Sequence, residues 1–360
     1  MACATLLIPF QSDEMDKMRQ TEPINTNGAL IEVKDLVVHF RVLQGRVLAV
    51  NGVSFQIRRG QTLGVVGESG CGKSVTGLSI LRLLPTPPAE VLGGEILYHR
   101  QSTGEIVDLM KLSPRSAEMR SIRGNDIAMI FQEPMNSLTP AYTIGEQIME
   151  TIVLHQQVNK REARQLAIEV LDRVGMPQPS RNVDSYPHQL SGGMLQRAMI
   201  AAALSCQPSL LIADEPTTAL DVTTAAQILD LMESLQDEMG MATMHISHNL
   251  GVIAEVADEV AVMYLGQIVE QGPVDDIFYN PQHPYTQGLL NSIPLIGQSA
   301  RLEPIHGVVP EPDAIPPGCA FAPRCPRYPG GICEEMPRAV AVAPNHYVRC
   351  HLCDALLADG

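Results

Sequence analysis

Gly67-Glu68-Ser69-Gly70-Cys71-Gly72-Lys73-Ser74 decides how the chain folds. It fits the spacing G-x-x-x-x-G-K-[ST] of a phosphate-binding loop. Glycines let backbone N–H groups turn toward phosphate oxygens, and a following helix adds the positive end of its dipole. The flanks supply that setting. Thr62-Leu63-Gly64-Val65-Val66 reads as a buried strand, and Val75 to Leu84 reads as a helix. Within such a loop Lys73 reaches the β- and γ-phosphates, and the Ser74 hydroxyl ligands Mg²⁺. The loop predicts a nucleoside triphosphate and is silent on what its energy drives.

Strand and helix patterns alternate on both sides of the loop. Leu30 to Phe40 and Val47 to Ile57 read as antiparallel strands joined near Gln44-Gly45. Thr86 to Gly94, rich in Pro and Gly, reads as a surface loop, and Glu95 to Tyr98 and Ile127 to Phe131 as strands. From Glu133 to about residue 190 the texture turns helical. Ala163, Leu166, Ala167, Val170, Leu171 and Val174 fall on one helix face. The strand rhythm then returns in Leu210 to Ala213, Ala242 to Ile246 and Val260 to Leu265. This predicts an α/β fold with a mostly parallel sheet, its ligand at the carboxyl ends of the strands. Residues 1–28 read as a disordered leader, 29–280 as the nucleotide-binding domain with a helical subdomain at about 133–190, and 281–360 as a small Cys- and Pro-rich module.

Bulk properties narrow the function classes. A formal net charge of −15 argues against a general nucleic-acid surface. No stretch approaches the ~18 consecutive apolar residues of a membrane span, so any membrane role needs other chains. The N-terminal apolar run lacks a basic segment and does not read as a signal peptide. A reducing compartment then follows, where the eight cysteines are free thiols or metal ligands.

Two further constellations carry chemistry. Leu210-Leu211-Ile212-Ala213-Asp214-Glu215 is an apolar strand ending in two carboxylates. In a phosphate-loop enzyme the first acid holds Mg²⁺ and the second is placed to orient or deprotonate water. Leu190-Ser191-Gly192-Gly193-Met194 opens an apolar helix, with Ser191 suited to cap it, and makes a second anion-binding helix start. One bound nucleotide does not need two such loops, unless the second serves a nucleotide held by another subunit.

In this order, the loop at 67–74, Gln132 after a strand, Leu190-Ser191-Gly192-Gly193, the acidic strand 210–215, Leu220-Asp221 and Ile246-Ser247-His248 resemble the ABC-transporter ATPases. The resemblance covers almost the whole chain after the leader. It implies a RecA-like parallel-sheet core with an antiparallel β subdomain and an inserted helical subdomain. It also implies two subunits that sandwich two ATPs head to tail. By that resemblance Gly67 to Ser74 bind the triphosphate, Ser74, Asp214 and Gln132 hold Mg²⁺, and Glu215 is the catalytic base. His248 contacts the γ-phosphate, Asp221 links the two sites, and Ser191, Gly192 and Gly193 act on the partner's nucleotide. Phe40 is the candidate for stacking on adenine, with core packing as the alternative. Met194 stands where the family's signature has Gln, which leaves the anion-binding backbone unaltered.

His283-Pro284-Tyr285-Thr286-Gln287, Gly307-Val308-Val309-Pro310 and Phe131 to Pro140 resemble the dipeptide/oligopeptide importers, the dipeptide type most closely. That branch implies a second ATPase subunit, usually a paralogue, two permeases and an extracytoplasmic solute-binding protein. It also places the chain on the cytoplasmic face of the membrane. Nickel chelates, glutathione or haem are alternative cargoes, and a soluble ABC ATPase of DNA repair or translation is the rival class. Cys319, Cys325, Cys333 and Cys350 are spaced C-x5-C-x7-C-x16-C. Four thiolates suit an Fe–S cluster or structural Zn²⁺, and the resemblance favours [4Fe–4S]. Cys353 is the substitute for Cys350.

Overall fold

All five residues of β3, Thr62–Val66, are buried, so the strand must lie inside a sheet covered on both faces. In the computed structural model β3 lies between β8 (Ala242–Ile246) and β9 (Glu259–Tyr264), parallel to both. The structure describes residues 28–43, 45–100, 103–132, 137–218, 220–293, 305–310 and 315–353. Residues 1–27 of the expected leader, Gln44, Glu133-Pro134-Met135-Asn136 and Pro294 lie outside the described residues. β7 (Leu210–Asp214) and β6 (Ile127–Ile130) continue the parallel run from β8. Beyond β9, β10 (Gln267–Pro273), β12 (His346–Val348) and β11 (Val340–Ala343) add antiparallel strands. Among the described residues the order is β11-β12-β10-β9-β3-β8-β7-β6. Residues 340–348 of the Cys-rich stretch therefore extend the same sheet that carries the phosphate loop.

The second sheet is antiparallel, with β1 (Ala29–Val42), β2 (Gly45–Arg58), β4 (Ala89–His99) and β5 (Ile106–Asp108) in the order β2-β1-β4-β5. β4 corrects the surface loop expected over Thr86 to Gly94. Its first half pairs with β1, Phe40 opposite Ala89 and Val38 opposite Val91. The glycines mark a register shift in that pairing. Gly94 has φ +103°, and a Cβ there would meet Leu36 Cα at 2.7 Å. The helix after the loop, Lys73–Ile80, ends before the expected Leu84.

The two faces of β6 and β7 bury different things. Ile127, Met129, Leu210 and Ile212 join the core shared with the antiparallel sheet. Ala128, Ile130, Leu211 and Ala213, one residue out of phase, face the helices Ile144–Gln156, Lys160–Arg173 and Gly192–Leu204. Two of these helices start at full capping boxes, Thr143 with Glu146 and Asn159 with Glu162. The expected helical subdomain is thus anchored through one alternate set of strand residues. No helix among the described residues is long and apolar enough to cross a membrane.

Leu171 is fully buried in this helical cluster, whereas Leu154 is 68% exposed. Leu171→Ala is expected to cost about 2–5 kcal/mol and Leu154→Ala less than about 0.5 kcal/mol. Denaturant unfolding of the two variants side by side checks the contrast.

Candidate active site

The phosphate loop is shaped by glycines that cannot carry a side chain. Gly72 has φ +102°, and a Cβ on it would come within 2.3 Å of the Ala49 carbonyl oxygen. Gly67 is as confined, its Cβ position lying 2.1 Å from the Met263 carbonyl oxygen. Strands β2 and β9 therefore press on the loop from two sides. Lys73 is buried, and its ammonium donates to the carbonyls of Gly67 at 2.7 Å and Glu68 at 3.1 Å. Those bonds keep a buried cation satisfied. A cavity of about 200 Å³ opens beside the loop, between Glu68 to Cys71 and Tyr264, Leu265, Val309 and Pro310.

Ser74 Oγ donates to Asp214 Oδ1 at 3.0 Å. The loop's hydroxyl and the first acid of β7 thus form one oxygen cluster, the donor chemistry that suits Mg²⁺. Burial pushes the Asp214 carboxyl up, Ser74 and Lys73 pull it down, Glu215 pushes it up, and the balance is a raised pKa.

Glu215 follows β7 with φ +49°, a left-handed conformation that few non-glycine residues adopt. Its N–H donates to Ile246 O of the neighbouring β8 at 2.9 Å, which holds the turn. The carboxylate is met from three directions. Gln132 Nε2 donates to Oε2 at 2.9 Å, Thr218 Oγ1 donates to the same oxygen at 2.9 Å, and His248 Nδ1 lies 2.9 Å from Oε1. Gln132, Glu215 and His248 come just after β6, β7 and β8, which are adjacent and parallel. The fold therefore delivers three sequence-distant residues to one point. Burial would raise the Glu215 carboxyl, but the hydrogen bonds from His248, Thr218 and Gln132 and the His248 charge hold it low. Thr218 was missed by sequence reading. Its only signal is its position three residues after the acid, where a turn returns the hydroxyl.

The remaining expected residues sit elsewhere. Ser191 is exposed and caps Gly192–Leu204, its hydroxyl accepting from Met194 N at 3.4 Å. A Cβ on Gly193 would meet Thr224 Cγ2 at 2.9 Å, so this helix start abuts the next. There Asp221 caps Val222–Met239, accepting from Thr224 N at 3.0 Å and Thr224 Oγ1 at 2.7 Å. Among the described residues no hydrogen bond joins Ser191, Gly192 or Gly193 to the chain's own phosphate loop. Phe40 is partly buried and packs against the main core.

The cysteine set is gathered but not closed. Burial raises the Cys319 thiol to about 11, with Cys333, Cys350 and Cys325 adding to the shift. Cys319 N donates to Cys333 O at 2.9 Å. The Cys353 thiol hydrogen-bonds to Cys350 and pulls it down. Among the described residues no three His, Cys, Asp or Glu side chains take up an arrangement that could hold a metal ion. The expected four-cysteine ligand geometry is therefore not formed among the described residues.

Comparison with known proteins bears on the family. The ABC transporter family model matches residues 50–218, and the model of the oligopeptide/dipeptide transporter C-terminal region matches residues 269–333. A probable peptide ABC transporter ATP-binding protein of Sinorhizobium fredii is 51% identical over 324 residues, covering 89% of this chain and 94% of the relative. The chain belongs to the ATP-binding subunits of the oligopeptide/dipeptide ABC-transporter family. The dipeptide transport ATP-binding protein of Bacillus subtilis is 48% identical, over 90% of this chain and 95% of its own. A dimeric ATP-binding cassette solved in a post-hydrolysis state with ADP and Pi superposes with TM-score 0.59 at 25% identity. It covers 68% of this chain and 98% of its own length. As in other ABC ATPases of this family, the fold is a cassette of mixed parallel and antiparallel sheets.

Glu215 supplies a pH signature. A carboxyl held low in the folded state stabilises it above the unfolded pKa, and that contribution is lost as pH falls through the lower, folded pKa. His248→Ala removes the hydrogen bond and charge that lower it most. The Glu215 carboxyl is then expected to titrate at higher pH, and its stabilising contribution shrinks. Carboxyl-selective NMR titration of both proteins reads the shift.

Proposed function

We propose that the chain hydrolyses ATP to power import of di- or oligopeptides across the cytoplasmic membrane, as a peripheral subunit on the cytoplasmic face. The observation that carries this reading is the convergence of Gln132, Glu215 and His248 next to the Ser74–Asp214 pair. Lys73 leaves the carbonyls of Gly67 and Glu68 for the β- and γ-phosphates, and the loop's N–H groups bind their oxygens. Ser74 and Asp214, with Gln132, would hold Mg²⁺, which would supply charge neutralisation at the phosphates. Glu215 accepts the proton of the attacking water, with Gln132 and Thr218 fixing its orientation. His248 steadies the carboxylate and faces the γ-phosphate. Phe40 stacks on adenine.

Ser191, Gly192 and Gly193 serve the nucleotide of a second ATPase subunit, a paralogue in this reading, and Asp221 links the two sites. The exposure of Ser191, Gly192 and Asp221 supports that role. Closure of this pair drives two permeases, which receive cargo from an extracytoplasmic solute-binding protein. The match at residues 269–333 and the peptide-transport relatives favour this over a soluble ABC ATPase of DNA repair or translation. Residues 75–189, all that separates loop from signature, leave no room for the long coiled coil of repair types.

Glu215→Gln keeps the hydrogen-bonding shape and removes the base. Turnover by the assembled transporter is expected to fall at least ~100-fold while ATP binding persists and the closed pair accumulates. Undiminished steady-state phosphate release by this variant would overturn the reading.

The finer reading of the cysteines is that Cys319, Cys325, Cys333 and Cys350 hold a [4Fe–4S] cluster, with zinc as the alternative. The C-x5-C-x7-C-x16-C spacing and the hydrogen bond from Cys319 N to Cys333 O at 2.9 Å support it. Anaerobically purified protein is expected to carry iron and acid-labile sulfide in equal amounts, both lost in Cys333→Ser. Zinc without sulfide selects the alternative, and no metal at all rejects both.

A further inference from the structure

Glu68 is an odd residue to find in a phosphate cradle. It places a carboxylate inside a loop whose partner is a polyanion, and like charges at such distances repel. The structure shows where that carboxylate goes. Arg324, 256 residues away, grips it with both arms of its guanidinium, Nη1 to Oε2 at 2.8 Å and Nη2 to Oε1 at 3.2 Å. A fork of this kind fixes direction as well as charge. The Arg324 side chain is 4% exposed and Glu68 28% exposed. The guanidinium is itself locked. Its Nε donates to His306 O at 3.2 Å, Nη1 lies 3.4 Å from the Tyr264 hydroxyl, and the group sits over the rings of Tyr264 and Phe321.

Glu68 is held at two further points. Its N–H donates to the Tyr285 hydroxyl at 3.0 Å, and its carbonyl accepts from Lys73 Nζ at 3.1 Å. Cys71 N–H donates to the same carbonyl at 3.3 Å. Two of the four residues that grip Glu68 lie after 280, and the other two, Lys73 and Cys71, belong to the loop. The C-terminal grips are the ones that hold the N–H and the carboxylate of residue 68.

We propose that Arg324 is a positioning residue of the ATP site, which draws the Glu68 carboxylate out of the phosphate cradle and neutralises it. The idea rests on the loop binding ATP. It gives the C-terminal segment a direct part in nucleotide affinity, through a pair that joins the start of the phosphate loop to the turn Ala322–Arg324. Tyr285 works beside it by keeping the Glu68 N–H turned away from the cradle.

The test measures equilibrium binding of a fluorescent ATP analogue to the full-length chain. Arg324→Met is expected to weaken binding about tenfold, since it leaves an unpaired carboxylate beside the phosphates. Adding Glu68→Gln to Arg324→Met should recover most of that loss, because the repulsive charge is gone. Arg324→Lys, which keeps the charge and loses the fork, should fall between wild type and Arg324→Met. A merely structural arginine predicts no rescue by Glu68→Gln. Thermal melts without nucleotide report folding, and if Arg324→Met does not fold, Arg324→Lys with and without Glu68→Gln carries the same comparison. Affinity unchanged within about twofold, or a loss that Glu68→Gln does not relieve, overturns the proposal. Equal binding by Lys73→Ala and wild type would instead overturn the loop as the ATP site, a separate result.

Discussion

A buried ammonium with nothing to bind would be costly, and the conformation of the phosphate loop follows from how this is avoided. Lys73 satisfies itself on the carbonyls of Gly67 and Glu68, the first two residues of its own loop. That closes the loop into a ring around the cation. The ring can form only because Gly67 and Gly72 tolerate backbone oxygens of Met263 and Ala49 where a side chain would be. Those oxygens belong to β9 and β2, one from each sheet. The loop is therefore a joint between the two sheets, and its shape depends on how they are docked.

The carboxylate centre depends on a second constraint, strand order. β6, β7 and β8 are neighbours and parallel, so their carboxyl ends finish level. Asp214 pairs in register with Ile246, and Glu215 then donates its N–H back to Ile246 O. This leaves Glu215 in a left-handed conformation, with its carboxylate in hydrogen-bond reach of both Gln132 and His248. No local preference of the sequence Ala213-Asp214-Glu215-Pro216 requires that conformation. It is imposed by the neighbouring strand, as strained residues at functional sites commonly are.

How legible each part was in the sequence depends on the range of the forces that set it. β3, β7 and β8 were plain because full burial writes an uninterrupted apolar run, and Lys160–Arg173 because one buried face writes a helical period. The site residues Lys73, Ser74, Asp214 and Glu215 were plain because spacing within one motif places them. β4 was read as a loop in its first half, since glycine is ambiguous between a turn and a bulge and only the partner strand resolves it. β10 went unseen because Gln267, Glu270 and Gln271 are buried polar residues whose partners lie in other segments. Glu270 accepts from His283 N and meets His346 Nε2 at 2.8 Å, both contacts that no local pattern encodes.

The C-terminal segment shows the same limit and what it conceals. Proline and cysteine make residues 281–360 look like a separate attachment, because such composition lacks a period. Packing ties them to the loop instead. Tyr264 from β9, Tyr285 and Phe321 form one aromatic cluster, with ring centroids 4.6–5.4 Å apart. Burial of these rings provides the apolar drive. The Tyr285 hydroxyl and the arginine beside the rings supply polar ends that must find partners in a dry setting, and Glu68 is the partner they find. A carboxylate that would be a liability in an isolated phosphate loop thus becomes the anchor by which that loop is fastened to the rest of the chain.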